Sequence, residues 1–516
     1  MSDQKEIKSS EHQEEEVQAQ EIGTLQSPEP CCANGCIITD AANGCSVEEG
    51  TNTTASGNAS HAEGRETTAS DLRSHAEGQG TAASGVASHA EGFFTTSSGD
   101  TSHAEGRETT ASGPRSHAEG LSTTASGSAS HAEGQETNAF GVNSHTEGFQ
   151  TTTGDELDPS QGLNAHAEGR STTATGFTSH AEGEGNTASG RASHVEGGGV
   201  DPLGNPAPNL SIGSSSHAEG IGTTASGFAS HAEGRETRTF GENSHAEGQN
   251  TTTGDAGDPS LGLNAHAEGE GNTATGRASH AEGGAVDQNG NPAPTLASGD
   301  SSHAEGVGTT ASGFASHAEG GTFDINSVPG PVASGDFSHA EGLITEASGQ
   351  ASHAEGGFNT TASGDFSHAE GVSTEASGNA SHAEGGGGIV VFIIDGTITI
   401  LLLGPRASGD FSHAEGFETE ASGEAAHAEG NDTTASGQAS HAEGFATTAS
   451  GNQSHAEGRD TIADGSSSHT EGLNTCANGK TGVHVMGKMV VQPQEIPIFH
   501  GISSMVIPLY LVILMV

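Results

Sequence analysis

Tryptophan is absent from these 516 residues, tyrosine occurs once, and only 30% of the chain is hydrophobic. That is too little large apolar material for the several conventional cores a chain of this length would otherwise hold. Basic residues are also scarce, 15 Lys and Arg against 68 Asp and Glu. No basic stripe can neutralise phosphates, so nucleic acid is excluded as a partner. Acidity of this degree keeps a long particle soluble and self-repelling. The first twenty residues, MSDQKEIKSSEHQEEEVQAQ, hold no apolar stretch. No secretory signal peptide is read there, and release by lysis would need none. Five cysteines occur: Cys31, Cys32, Cys36 and Cys45 together, and Cys476 alone. The C-C-x₃-C-x₈-C spacing fits zinc modules poorly, so disulfide cross-links at the base of the molecule are the expectation.

Glycine is what the chain has in excess, 80 residues. Low hydrophobicity with a formal charge of −53 would alone suggest disorder. Strict periodicity overrides that reading, because a disordered tract has no reason to keep one register. The glycines do not fall at every third position, which excludes collagen. Between His61 and His469 there are 26 copies of His-x-Glu-Gly, and 18 of the 25 intervals are 14 residues. Every other interval is longer and none is shorter. A solenoid behaves this way when its coil length is fixed and loops are added at corners. The chain therefore divides into an acidic, Cys-containing and disordered segment (1–50), a repeat region (51–475), and a junction with an apolar tail (476–516).

Each repeat has an inner symmetry. In Ser74 to Ala87, SHAEGQG is followed by TAASGVA, with Gly78 and Gly85 seven apart. Four residues are enough for a short strand but not for a helix, and Gly permits the positive φ of a tight corner. The expected fold is all-β, a parallel β-roll of 14-residue coils with two strands and two turns each. Side chains alternate along a strand, so Ser74 and Ala76 share one face, as do Thr81 and Ala83. These residues are small and are placed inside; His75 and Glu77 then face outward. The segments at 201–212 and 287–296 extend the turn after Glu-Gly, and those at 151–169 and 251–269 extend the other turn. The largest insertion, IVVFIIDGTITILLLG (389–404), reads as a β-hairpin around Asp395-Gly396. It would pack on the roll or a neighbouring chain, or serve as a sticky tip for an apolar partner.

Ser-His-Ala-Glu-Gly followed by Thr-Thr-Ala-Ser-Gly resembles the head repeats of YadA-like trimeric adhesins, whose short motif runs Ser-Val-Ala-Ile-Gly. The resemblance spans about 51–475. It implies a left-handed roll, trimerised side by side, that serves adhesion or display at a cell, spore or virion surface. The family's signal peptide, coiled-coil stalk and membrane barrel are not found. The Ser-His-Ala-Glu-Gly form is more similar to surface or tail-fibre proteins of spore-forming Gram-positive bacteria and their phages. Such chains continue from a Gly-x-His-x-Met-Gly segment, matched by Gly482 to Gly487, into a self-cleaving chaperone domain, for which the 29 remaining residues are too few. The family's Val and Ile positions, which face the trimer interior, carry His and Glu here.

The His-x-Glu columns are the single candidate chemical site. Stacked at ~4.8 Å per coil, they could hold Zn²⁺ or Ni²⁺. Repetition favours a structural ladder of His–Glu hydrogen bonds, so no catalytic, cofactor-binding or metal-binding residue is assigned. Ion pairing in that ladder would raise the histidine pKa and put maximal stability near ~pH 5–6.5. A column dry enough to keep histidine neutral would do the reverse. Stacked threonines such as Thr67-Thr68 resemble ice-binding faces but are also ordinary cross-strand pairs. The tail 496–516 is long enough to span a bilayer. Pro497, Pro508 and the lack of flanking positive charge favour a truncated or frame-shifted end instead. The functional expectation is a homotrimeric structural and adhesive fibre with no catalysis. The alternatives are a truncated precursor of a self-cleaving chaperone-type peptidase, and a metal- or ice-binding solenoid.

Overall fold

The computed structural model describes residues 37–325, 329–394 and 397–487, with side chains left aside at 37, 38 and 388–403. The chain forms two compact units that divide between Ala311 and Ser312. Each is a parallel β-solenoid. Sixteen His-x-Glu-Gly coils fall in the first and ten in the second.

A coil is two strands joined by two corners. The long strand His75–Gln79 pairs in parallel with His61–Arg65 before it and His89–Phe93 after it. The short strand Ala82–Ala83 lies between Thr68–Ala69 and Thr96–Ser97. In both ladders like residues sit opposite like, His75 on His89 and Ala76 on Ala90. The corners are paired too. Ala87 N–H donates to the Leu72 carbonyl at 2.7 Å, and Phe94 N–H to the Gln79 carbonyl at 2.9 Å. Backbone pairing therefore continues around the coil, which meets the demand that buried amides find partners.

The alternation of sizes sets the faces as expected. Ser74, Ala76, Thr81 and Ala83 are all at most 1% exposed, whereas the His75 and Glu77 side chains keep 34% and 36%. Two short strands close on each other over alanine, serine and threonine, with Val195 and three asparagines the largest side chains fully buried there. Ala90 is fully buried between Ala76 and Ala104. Ala90→Leu is expected to overpack this interior and cost ~1–3 kcal/mol, read from denaturant melts beside a Glu66→Gln surface control.

The corners depart from the sequence reading in one respect. Gly78 has φ +110°, but Gly85 is not in the left-handed region. Both must be glycine because the next coil is too near. A Cβ on Gly78 would run into the Gly92 carbonyl oxygen, and one on Gly85 into that of Gly99. After Gly85 the left-handed residue is Ala87, at φ +54°. In many coils the serine before the histidine closes this corner. Ser88 Oγ donates to the Gly85 carbonyl at 2.8 Å, and Ser60 does the same to Gly57. Ala165, Ala265 and Ala426 replace that serine in three coils, and their backbone N–H groups still reach the carbonyls of Gly162, Gly262 and Gly423 at 3.1 Å.

The coils extend beyond 51–475. Residues 37–50, read from sequence as disordered, form β1 (Ile37–Asp40), a 3₁₀ turn (Ala41–Asn43) and β2 (Ser46–Thr51). β2 is a coil strand without histidine: Glu49 and Gly50 stand over Glu63 and Gly64. β1 runs antiparallel to β2, covering an edge that would otherwise template pairing with another chain. At the other end, His484–Met486 adds to the ladder on His469, so the segment read as a junction is a further coil.

Insertions occupy the corners. At 201–205 the Asp201 carboxylate accepts the Leu203 and Asn205 N–H groups and the Asn205 amide; Asp287 repeats this with Asn289 and Asn291. Gly388–Ile394 and Thr397–Leu403 pair antiparallel, confirming the hairpin, while Asp395 and Gly396 lie outside the described residues. Among the described residues no helix is long and apolar enough to cross a membrane, and 496–516 lie outside them.

Candidate functional site: the histidine and glutamate columns

In-register stacking turns each repeated residue into a column. From His61 to His303 successive imidazole rings lie 4.7–4.9 Å apart and within 6° of parallel. A second column runs from His317 to His484 in the other unit, with spacings of 4.3–4.8 Å within it. Two residues further along each long strand stand the glutamates, and the glycine after each glutamate leaves the wall beside them bare. In the first unit this produces an open groove of about 870 Å³, lined by Glu105, Glu119, Glu133, Glu147, Glu168 and Glu182 with their glycines.

The expected ladder of His–Glu hydrogen bonds forms at only a few rungs. His117 Nε2 approaches Glu105 Oε1 at 3.3 Å, within hydrogen-bond reach. Most other approaches are longer, for example 3.7 Å for His75 and Glu77 and 3.8 Å for His245 and Glu247. Many of these Nε2 atoms are buried without a hydrogen-bond partner. The pKa of His89 lies below its ordinary value, first because the stack desolvates the ring and then because His75 and His103 would repel its charge. His103, His280, His353, His427 and His441 are lowered by the same two causes. The raised pKa expected from ion pairing is thus corrected. At these rings partial burial and like neighbours outweigh the carboxylates and favour the neutral form.

The glutamates resolve the same crowding by sharing protons. Two carboxylates in adjacent coils cannot both ionise without repulsion, whereas one proton between them makes a hydrogen bond. Glu91 is pushed up to about 7, chiefly by its hydrogen bond with Glu105, and Glu105 is correspondingly lowered. Further along, Glu168 is pushed up to about 7 by Glu147, which is itself lowered. Glu133 and Glu219 are also raised, by Glu119 and Glu196 respectively. Raised and lowered carboxyls thus stand side by side at Glu91 and Glu105 and from Glu133 through Glu147 to Glu168.

The other sequence candidates are placed as follows. Of each threonine pair one member points in and one out: Thr67 is fully buried and Thr68 is exposed. The outward column is broken by Ala82, Asn138, Leu210 and Arg238. Cys45 is exposed and Cys476 half-buried, both as free thiols; Cys31, Cys32 and Cys36 lie outside the described residues.

Sequence reasoning missed three buried asparagines. Asn186, Asn209 and Asn272 stand where other coils have an inward threonine, and all are fully buried. Asn186 Nδ2 donates to the Glu182 and Gly197 carbonyls at 2.7 and 2.9 Å, while its Oδ1 accepts the Asn209 N–H at 2.8 Å. Asn209 hands the same bond on to Thr223. Asn186 and Asn209 flank the 201–205 insertion and Asn272 precedes its counterpart at 287–291, so the amides tie together coils whose corner has been opened. The signal was present as Glu-Gly-Asn-Thr at 184–187, read through Gly185, and again at 270–273.

No family model matches this chain, and no curated protein is significantly similar to it.

Proposed function

We propose that this chain is a structural and adhesive fibre of a spore surface or phage tail, working by display or attachment and not by catalysis. The observation that carries the reading is the sameness of the coils. From His61 to His469 each long strand presents the same histidine and glutamate outward, and no coil stands out as an active centre. Variation is greatest at the corners, where large apolar groups face solvent: Leu157 is 91% exposed, Leu203 87% and Phe411 66%. Side chains of this kind on a rigid scaffold suit recognition of a receptor, matrix protein or glycan. The resemblance to YadA-like heads supports the same role and an extracellular location.

A homotrimer is part of this proposal. An interior of alanine, serine and threonine buries little apolar area per coil, so self-association would supply further burial. Sedimentation equilibrium of the purified chain is expected to give three times the chain mass. A stable, folded monomer at micromolar concentration would refute the trimer. For attachment, beads coated with the chain should adhere to a matrix-protein or glycan panel and lose that adhesion when 201–208 and 389–404 are excised. Equal adhesion by coated and uncoated beads would count against the adhesive role.

A further inference from the structure

We infer that the seam between the histidine and glutamate columns of the first unit is an array of sites for first-row divalent metal ions, Zn²⁺ foremost, each ion held by one histidine and the two glutamates beside it. The clearest sites are at His131, His166 and His217. His131 Nε2 lies 3.7 Å from Glu119 Oε1 and 3.8 Å from Glu133 Oε2. His166 lies 3.9 and 3.8 Å from Glu147 and Glu168, and His217 lies 3.5 and 3.6 Å from Glu196 and Glu219. In each, one imidazole nitrogen faces two carboxylates from successive coils.

These gaps are wide for hydrogen bonds and the three Nε2 atoms have no hydrogen-bond partner although each is buried. A buried nitrogen left unpaired is costly, which is a reason to look for what it would bind. Two ligand atoms on a tetrahedral zinc stand roughly 3.4 Å apart when each bond is ~2.1 Å. The observed 3.5–3.9 Å separations need only a few tenths of an ångström of closure. Glutamates about one-third exposed on the wall of an open groove can supply it.

Ring geometry decides which donors share an ion. His131, Glu133 and His145 also fall within 4.8 Å of one another. The two rings, however, are stacked parallel at 4.8 Å, so their in-plane lone pairs run side by side and cannot meet on one ion. Each ring instead aims at the carboxylates. One imidazole and two carboxylates form a mixed nitrogen and oxygen set that suits zinc and its neighbours better than calcium, which prefers oxygen alone. Water from the groove would complete the coordination. Neutral imidazole is the form that ligates a metal.

The test is equilibrium dialysis of the full, untagged chain against Zn²⁺ in excess Ca²⁺, with elemental analysis. Saturable uptake of several zinc ions per chain is expected. The triple variant His131→Gln, His166→Gln, His217→Gln should bind three fewer. Should that variant melt early, Glu133→Gln, Glu168→Gln, Glu219→Gln replaces one carboxylate at each site with a neutral isostere. It should lose the same three ions while keeping the fold, as judged by its circular dichroism. Zinc X-ray absorption should show one imidazole per ion. Displacement of zinc by calcium, undiminished uptake in the variants, or two imidazoles per ion would each overturn the assignment.

Discussion

Gly92→Ala is expected to break the solenoid locally, with a cost of about 2–6 kcal/mol from backbone strain and overpacking combined. Gly92 has φ +114°, far from the left-handed well near about +57° that an alanine can tolerate. Its missing Cβ also points at the Gly106 carbonyl oxygen in the next coil. Backbone in a continuous ladder has nowhere to move without parting the strands. Because each coil touches only its neighbours, the loss should remain near its origin. Hydrogen exchange followed by mass spectrometry should show rapid exchange in residues 75–117 and unchanged protection in 217–245. Gly204→Ala is the control. Gly204 is left-handed at φ +84°, but a Cβ there meets nothing within 4 Å, so strain alone applies, ~1–2 kcal/mol. Equal protection of residues 75–117 in Gly92→Ala and the parent chain would show that close approach does not fix this glycine.

The same glycine shows how far the sequence could be read. Spacing of seven between Gly78 and Gly85 located both corners, and size alternation put Ala76 inside and His75 outside, because a strand leaves only two faces. Conformation at the corners was less legible. Gly78 and Gly85 look equivalent in the repeat, yet only Gly78 is left-handed, since what they share is a close neighbour and not a φ angle. The terminal coils were hidden because they lack the motif. Val47 stands where histidine should be, and Glu48 takes an alanine position, turning its carboxylate to the Ala55 N–H at 2.8 Å. The charge state of the site was hidden for another reason. His75 and Glu77 on one strand face suggest a pair, but each ring also has two rings stacked on it, and desolvation by those neighbours is a property of the ladder. The three asparagines were overlooked because an isolated Asn in a Gly-rich stretch reads as a turn residue.

Stability in metal-free buffer is expected to peak between about pH 6.5 and 7 and to fall on both sides. On the acid side the histidines decide. For His89, His103, His280, His353, His427 and His441 the folded pKa lies below the unfolded value of 6.5, with burial as the first cause. A group so lowered contributes stability that is fully present above the unfolded value and lost as pH falls through the folded one. Glu105 and Glu147, also lowered, add to the loss at still lower pH. On the alkaline side the protonated carboxyls decide. Glu91 and Glu168 are raised from 4.5 to about 7, so their contribution is full below 4.5 and is lost as pH rises through about 7. Above that, the column holds adjacent negative charges without shared protons. The acid fall should be the larger, because protonating stacked rings puts like charges 4.7–4.8 Å apart in a partly desolvated column. Glu91→Gln separates the two limbs. Glutamine keeps a donor toward Glu105 without needing a proton, so this variant should lose part of the alkaline fall and leave the acid fall unchanged. Melting temperatures measured from pH 4 to 9 for both chains decide the matter. A maximum at pH 5–6 would restore the charged His–Glu ladder, and a midpoint that climbs steadily to pH 9 would remove proton sharing between the glutamates.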